Sequence, residues 1–282
     1  MHCLARQPIC LFIAFAAASS ALAAVPAGSY LVPSKHEAAI GDVLTLRFDA
    51  GAAKDAQPAP WPAAGVPWLF VRGGPTQENR HDVRPARSAD NFTSVTIEHP
   101  GVTLIGANPA PTIAEVSADE WRACLALNTG ETASRGTSPA DRPVRVRHVV
   151  STKTLVRVAA EDGRRTPSAI ATSKSGQVVE IRPHFDPTAA QPGGDIPLTF
   201  YVDGDKRPAA KVRATNVATG KAEEFVTDGG GSGHFRITDA GAWRVEAHFA
   251  QPLESDPSAD WVIYTATLTF EIAAGGAKGG AQ

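Results

Sequence analysis

The chain has 282 residues, with 27 Lys and Arg against 29 Asp and Glu and a formal charge of −2. So even a balance argues against nucleic acid or an anionic membrane surface as the main partner. A single methionine beside 22 prolines and 25 glycines describes a chain built of strands and turns.

The first 23 residues read as an export signal. Arg6 supplies a short positive start, and residues 9–18 (ICLFIAFAAA) form an apolar run. That run is shorter than the ~20 residues a spanning helix needs. Ala21-Leu22-Ala23 then gives the small-x-small pattern that a signal peptidase cuts. The mature protein is expected in the periplasm or secreted, starting near Ala24 or Val25, with no membrane span after cleavage. Cys3 and Cys10 leave with the signal, so Cys124 has no internal partner. In WRACLAL it reads as a small buried hydrophobe rather than a nucleophile.

In chain order, DVLTLRF (42–48) sets Val43, Thr45 and Arg47 against Leu44, Leu46 and Phe48, the period of a half-buried strand. Further strands are predicted at 67–73, 92–99, 102–107 and 154–161. Others follow at 178–185, 195–203, 210–217 and 223–227, then at 233–249 and 261–272. One helix is predicted near 117–127. Ser117 and Glu120 have capping-box spacing, Trp121, Cys124 and Leu125 supply the apolar face, and Asn128-Thr129-Gly130 stops it. The polar, breaker-rich stretch 131–143 (ETASRGTSPADRP) reads as a linker. These signals predict an all-β protein of two antiparallel sandwiches, an N-terminal domain over 24–145 and a C-terminal one over 146–272. The Gly-rich end, 273–282, reads as a disordered tail.

The run 178–214 (VVEIRPHFDPTAAQPGGDIPLTFYVDGDKRPAAKVRA), then TDGGGSGHFRITDAGAWRVEAHF (227–249) and YTATLTFEI (264–272), resembles the periplasmic family carrying domain of unknown function 4198. The resemblance is best over 147–272 and extends weakly to 30–51. It implies an immunoglobulin-like or transthyretin-like C-terminal sandwich and a role linked to nickel or cobalt uptake, with a membrane transporter as partner. It also implies a histidine close to the mature N-terminus. This chain has Ser29-Tyr30 there, and the nearest histidine is His36.

The candidate metal site is the segment GHFRITDAGAWRVEAHF (233–249), read as a β-hairpin. Phe235 and Ile237 alternate with His234 and Arg236. Trp243, Val245, Ala247 and Phe249 alternate with Arg244, Glu246 and His248. Cross-strand pairing of His234 with Glu246 or His248 would gather His234, His248 and Glu246 on one polar face. Neutral imidazoles there suit a divalent transition metal such as nickel or cobalt. The competing reading is a solvent-facing strand. Arg236 and Arg244 on the same face oppose a cation, so the solvent-facing reading is preferred.

Enzyme templates fail. GGGSGHF nearly spells the nucleophile elbow around Ser232, but His234 stands where glycine is required. Glu223 and Glu224 are adjacent on a strand and point to opposite faces. His184-Phe185-Asp186 and the Arg80, Arg84, Arg87 loop are weaker ligand candidates, and Asn91-Phe92-Thr93 is a lone glycosylation sequon. The sequence therefore predicts an exported, non-enzymatic binding or accessory protein serving transition-metal or small-ligand uptake. The alternative is a structural or carbohydrate-contacting cell-surface module with Trp61 and Trp68 at an exposed rim.

Processing after Ala23 has a direct check. Intact-mass measurement on periplasmic protein should find the first ~23 residues removed. Retention of Met1 in the soluble mature form would contradict the signal assignment.

Overall fold

The computed structural model describes residues 29–61, 65–74, 80–83, 93–128, 142–160 and 168–274. The expected signal, the Arg84 and Arg87 loop, the Asn91 sequon, nearly all of the 131–143 linker and most of the tail lie outside the described residues. The first half contains β1 (Ser29–Pro33), β2 (Glu37–Ala38), β3 (Val43–Ala50), β4 (Gln57–Ala59) and β5 (Trp68–Arg72). It continues with β6 (Arg80–Val83), β7 (Thr93–Thr96), β8 (Gly101–Asn108), β9 (Thr112–Val116) and α1 (Ala118–Asn128). The second half contains β10 (Val144–Val158), β11 (Val179–Pro183), β12 (Asp195–Val202), β13 (Asp205–Lys206) and β14 (Lys211–Asn216). It ends with β15 (Ala222–Val226), β16 (Ser232–Arg236), β17 (Gly241–Pro252) and β18 (Trp261–Ile272).

The protein is mostly β, and its strands form three layers. The central sheet runs β15-β14-β17-β18-β10-β8-β5-β6, with β2 and β9 added along β10. On one face lies a four-stranded sheet of β1, β3, β4 and β7. On the other lies a four-stranded sheet of β11, β12, β13 and β16. Strand periodicity assigns the two cores. Leu155, Leu268, Phe270, Val245 and Ala247 meet Ile181, Leu198, Phe200 and Phe235 of the third sheet. Val156, Val158, Leu69 and Ile105, whose side chains leave the opposite face, meet Leu44, Leu46 and Phe48 of the first. The Leu44, Leu46, Phe48 alternation read from the sequence is the alternation observed.

Both cores are sandwiches, and they share the central sheet. β10 begins at Val144, beside the boundary expected at 145, and pairs on one side with β8 and β9 and on the other with β18. The β10–β18 ladder is parallel over nine residue pairs, Val146↔Trp261 to Thr154↔Thr269. Together with the short parallel pairing of β10 with β2 at Arg157↔Glu37 and Val158↔Ala38, it interrupts an otherwise antiparallel design among the described strands. A parallel partner needs a long crossover, and residues 159–260 provide one through the third sheet.

The helix carries the capping box that its sequence announces: Ser117 N–H donates to Glu120 Oε2 at 2.9 Å, and Glu120 N–H donates to Ser117 Oγ at 3.3 Å. Its buried face, Trp121, Cys124 and Leu125, packs on Val144, Val146, Ala250 and Ile263. The Trp121 and Trp261 rings lie 5.0 Å apart. Cys124 is buried there, as expected of a small hydrophobe.

The expected hairpin of 233–249 does not form. β16 pairs with β12 in the third sheet, while β17 pairs with β14 and β18 in the central sheet. The chain crosses between layers over Ile237–Ala240. This corner is tied by Trp243 Nε1 donating to the Asp239 carbonyl at 3.0 Å and by Asn216 Nδ2 donating to the Ala240 carbonyl at 3.0 Å.

Gly106 shows how tightly the core against the third sheet is packed. A Cβ there would lie 2.4 Å from Phe70 Cζ, although the backbone itself does not demand glycine. Gly106→Ala should therefore cost about 1–3 kcal/mol by displacing the Phe70 ring. Urea denaturation would register that loss, and an unchanged midpoint would show that the ring relocates freely.

Candidate functional site

The three predicted metal-site residues do not meet. His234 is exposed on the outer face of the third sheet, opposite Pro197. His248 and Glu246 are buried on the central sheet, facing the first sheet. The expected polar face of β17 is real, but it is an interior one. β1 lies across it: Ser29 and Leu31 carbonyls accept from Thr267 and Thr269 hydroxyls at 2.7 and 2.8 Å. Among the described residues, no group of three or more His, Cys, Asp or Glu side chains is arranged to hold a metal ion.

What fills this interior is a chain of paired polar groups. Tyr30 Oη donates to Glu246 Oε2 at 2.7 Å, and His248 Nε2 lies 3.7 Å from the same oxygen. His248 Nδ1 is 3.1 Å from Thr265 Oγ1. Arg244 pairs with buried Asp49, donates to the Ala53 carbonyl at 2.9 Å and lies over the Tyr30 ring at 5.0 Å. Burial alone would raise the Glu246 pKa. The bond and charge of His248, with the Tyr30 hydroxyl, more than offset it and hold the carboxyl below its ordinary range. Burial and the Glu246 carboxylate together push the Tyr30 hydroxyl far up, so it stays a donor. The arrangement serves cohesion between layers. His36, the histidine nearest the mature start, is half-buried, with Nδ1 3.1 Å from the Leu155 carbonyl.

A second buried pair lies against the third sheet. Lys153 Nζ donates to Glu180 Oε1 at 3.0 Å, with both side chains 2 % exposed. Burial would raise the Glu180 pKa, but Lys153 and the Ser175 amide bring it below the ordinary value. The remaining sequence candidates resolve as follows. His184 Nε2 lies 2.9 Å from Thr199 Oγ1, which lies 2.7 Å from Ser232 Oγ, a hydroxyl relay on the outer face of the third sheet. Asp186 turns away to the Thr188 amide at 2.9 Å. Glu223 accepts from the Arg236 amide and Glu224 pairs with Lys211 and Arg213, so the two carboxylates diverge as expected. Trp61 and Trp68 are half-buried rather than on an exposed rim. Trp61 packs edge-on against Phe48 at 4.7 Å, and Trp68 packs on Phe70 at 4.8 Å while Nε1 donates to Asp82 at 3.0 Å.

The sequence gives no notice of a cleft of about 190 Å³ between the first and central sheets, lined by Val71, Gly73, Val83, Val95, Glu98, His99 and Thr103 and by the β7 residues Ser94 and Thr96. β7 pairs with β3 on one side, from Val43↔Thr96 to Leu46↔Thr93. Gly73 opens the cleft floor: a Cβ there would lie 3.2 Å from Thr103 Oγ1 and 3.6 Å from His99 Cβ. Its φ lies outside the left-handed range, so space and not backbone conformation is what glycine supplies here. Strand periodicity could not reveal this site, because its lining comes from strands of two different sheets.

A family profile described as Domain of unknown function (DUF4198) matches residues 28–251. The chain belongs to that family. Among curated proteins none matches it. Solved structures similar to the DUF4198 chain include a DUF4785 family protein from Legionella pneumophila, at 8 % identity and a TM-score of 0.23, covering 76 % of this chain and 50 % of that one. The chain thus spans half the length of the Legionella protein. A two-domain fibronectin type III segment of chicken tenascin shares 9 % identity at a TM-score of 0.20, covering 85 % and 97 %. Murine CEACAM1b shares 8 % at 0.19, covering 87 % and 99 %.

The Tyr30–Glu246 bond sets a stability test. Tyr30→Phe should cost about 1–3 kcal/mol near neutral pH, because it removes a donor from a buried carboxylate. Glu246 is depressed in the fold, so its contribution is complete above its unfolded pKa and is lost as pH falls through the lower folded value. Denaturation midpoints measured from pH 7 down to pH 3 should therefore show a shallower acid slope in the variant. An identical slope would mean that Glu246 does not titrate with folding.

His148 carries a consequence of the same sign in a higher pH window. Burial lowers its pKa to about 4 from the ordinary 6.5, so the unfolded chain binds the proton more readily. Stability should fall as pH drops from about 6.5 toward 4, by up to about 3 kcal/mol from this residue. His148→Gln should flatten the chain's stability over that window.

Proposed function

We propose that this DUF4198 chain is an exported, non-catalytic binding or accessory protein that handles a small ligand for uptake, with the cleft beside β7 as its contact site. The observation that supports this most directly is the cleft at Gly73, a glycine that its backbone does not require and where a Cβ would crowd the lining residues Thr103 and His99. The buried ionisable groups support a non-catalytic role, because Glu246, Glu180 and Asp49 are each committed to bonds between layers. The cleft is smaller than the roughly 300–1,000 Å³ of drug-sized sites, so it suits a small ligand or one part of a larger one.

The nickel or cobalt role implied by family resemblance forms a separate arm of the reading. His234 and His248 are on different sheets, so they cannot share one ion. Nickel and cobalt titrated calorimetrically into mature protein should bind no more tightly than micromolar at these residues. A His234→Ala, His248→Ala double variant should leave any measured heat unchanged. Submicromolar binding abolished by the double variant would overturn this placement and restore the two histidines as ligands.

The cleft itself is tested by ligand-observed NMR with a panel of small metabolites on wild type and Gly73→Val. Compounds that bind wild type should lose binding in Gly73→Val while the thermal midpoint stays near wild type. Equal binding to both proteins would place the ligand site elsewhere.

A further inference from the structure

Strand β7 offers more than a wall to the cleft. In an antiparallel ladder, successive residues direct their backbone groups alternately toward one neighbour and away from it. Ile97 N–H donates to the Asp42 carbonyl at 2.9 Å, and the Ile97 carbonyl accepts from Gly41 N–H at 2.8 Å. That phase turns the amides and carbonyls of Val95 and Thr93 toward β3 and those of Ser94 and Thr96 away from it. The facing strand agrees. Thr45, opposite Ser94, directs its own groups to Ser34 on the far side, at 2.8 Å to the Ser34 amide and 3.2 Å to its hydroxyl.

The outward groups of Ser94 and Thr96 open on the cleft. Val95 points its side chain into the core with Leu44 and Val71, while Ser94 and Thr96 are exposed. Three consecutive strand residues whose side chains point to opposite faces can line one cleft only through their shared backbone edge. Across that edge stand Val71 and Val83 of the central sheet, with the Gly73 floor between Thr103 and His99. A strand edge that presents alternate N–H and C=O groups is complementary to another extended backbone. A partly apolar hole beside it is complementary to one side chain of that backbone. At ~30 Å³ per water the cleft would hold about six waters, room enough for one side chain of such a backbone.

We infer that the cleft binds an extended peptide segment, which adds as a strand to the outer edge of β7, an edge that pairs with no other strand among the described residues, and places one aliphatic side chain among Val71, Val83 and Val95. Hydrogen bonds to Ser94 and Thr96 fix the register, and the valine-lined space selects the residue that enters. This deepens the binding-protein reading and rests on it, since it names the class of molecule that the cleft receives.

The test uses the full mature protein, labelled with nitrogen-15, and the capped peptide acetyl-Thr-Val-Leu-Val-Thr-amide as probe. Addition of the peptide should shift the Ser94 and Thr96 amide resonances saturably and slow their hydrogen exchange. Ser94→Pro and Thr96→Pro each delete one outward N–H without touching the β3 ladder, and proline is tolerated at such edge positions. Each should weaken the peptide at least about tenfold, the scale of ~1.4 kcal/mol for a lost donor. Gly73→Val should do the same by filling the side-chain space, and unchanged thermal midpoints would exclude unfolding as the cause. Shifts centred on other strands, or full affinity in both proline variants, would overturn the proposal. So would protection of Ser94 and Thr96 that rises with protein concentration in the absence of peptide, because the added strand would then be a second copy of the chain. If the peptide fails while small metabolites still bind in a Gly73-dependent way, only this inference falls and the cleft remains the ligand site.

Discussion

The hydrogen bond from Tyr30 to Glu246 joins residues 216 positions apart, and the order of the layers depends on it. β17 is buried on both faces, so its even-numbered side chains have no water to face. Arg244, Glu246 and His248 would each be costly in that position if left alone, since a buried charge stripped of its partner costs about 3–5 kcal/mol. β1 and β3 supply what they need: the Tyr30 hydroxyl for Glu246 and Asp49 for Arg244. Apolar contact holds the first sheet against β5 and β8. Over β17 and β18 the same sheet is held by directed polar bonds, including two from the threonine hydroxyls of β18 to the carbonyls of β1. Such bonds fix one alignment of β1 along β18, which oil-like packing alone would not specify.

Much of this was legible in residue order. The alternation in β3, the capping box of α1 and the burial of Cys124 follow from local pattern, and the structure reproduces each. β17 marks the limit. Its sequence separates Trp243, Val245 and Ala247 from Arg244, Glu246 and His248 correctly, but a polar stripe has the same appearance whether it faces solvent or a layer of partners. Only the position of β1 decides between them, and SYLVP is too short and too close to a proline to announce itself as a strand. The first half of β10 was within reach, because Val144 and Val146 alternate with Arg145 and Arg147. The hairpin failed for a related reason. Two strands joined by TDA satisfy every local rule for pairing with each other, and the choice of different sheets is made by distant strands, β12 and β14.

The cleft could not have been found that way. Val71, Val83, Ser94 and Thr103 come from four strands of two sheets. Their convergence depends on β7 pairing only with β3 among the described residues, a property of topology and not of any segment. Gly73 carries the nearest thing to a signal, a glycine just past the end of a strand whose own backbone conformation does not demand one.

The position of β18 has a consequence for how the molecule comes into being. β18 lies between β17 and β10, at the heart of the central sheet, and its parallel ladder with β10 closes over more than a hundred residues. The two halves of the central sheet are therefore joined only once both strands are in place. Contacts this remote in sequence form slowly, because loop closure must precede any gain from pairing.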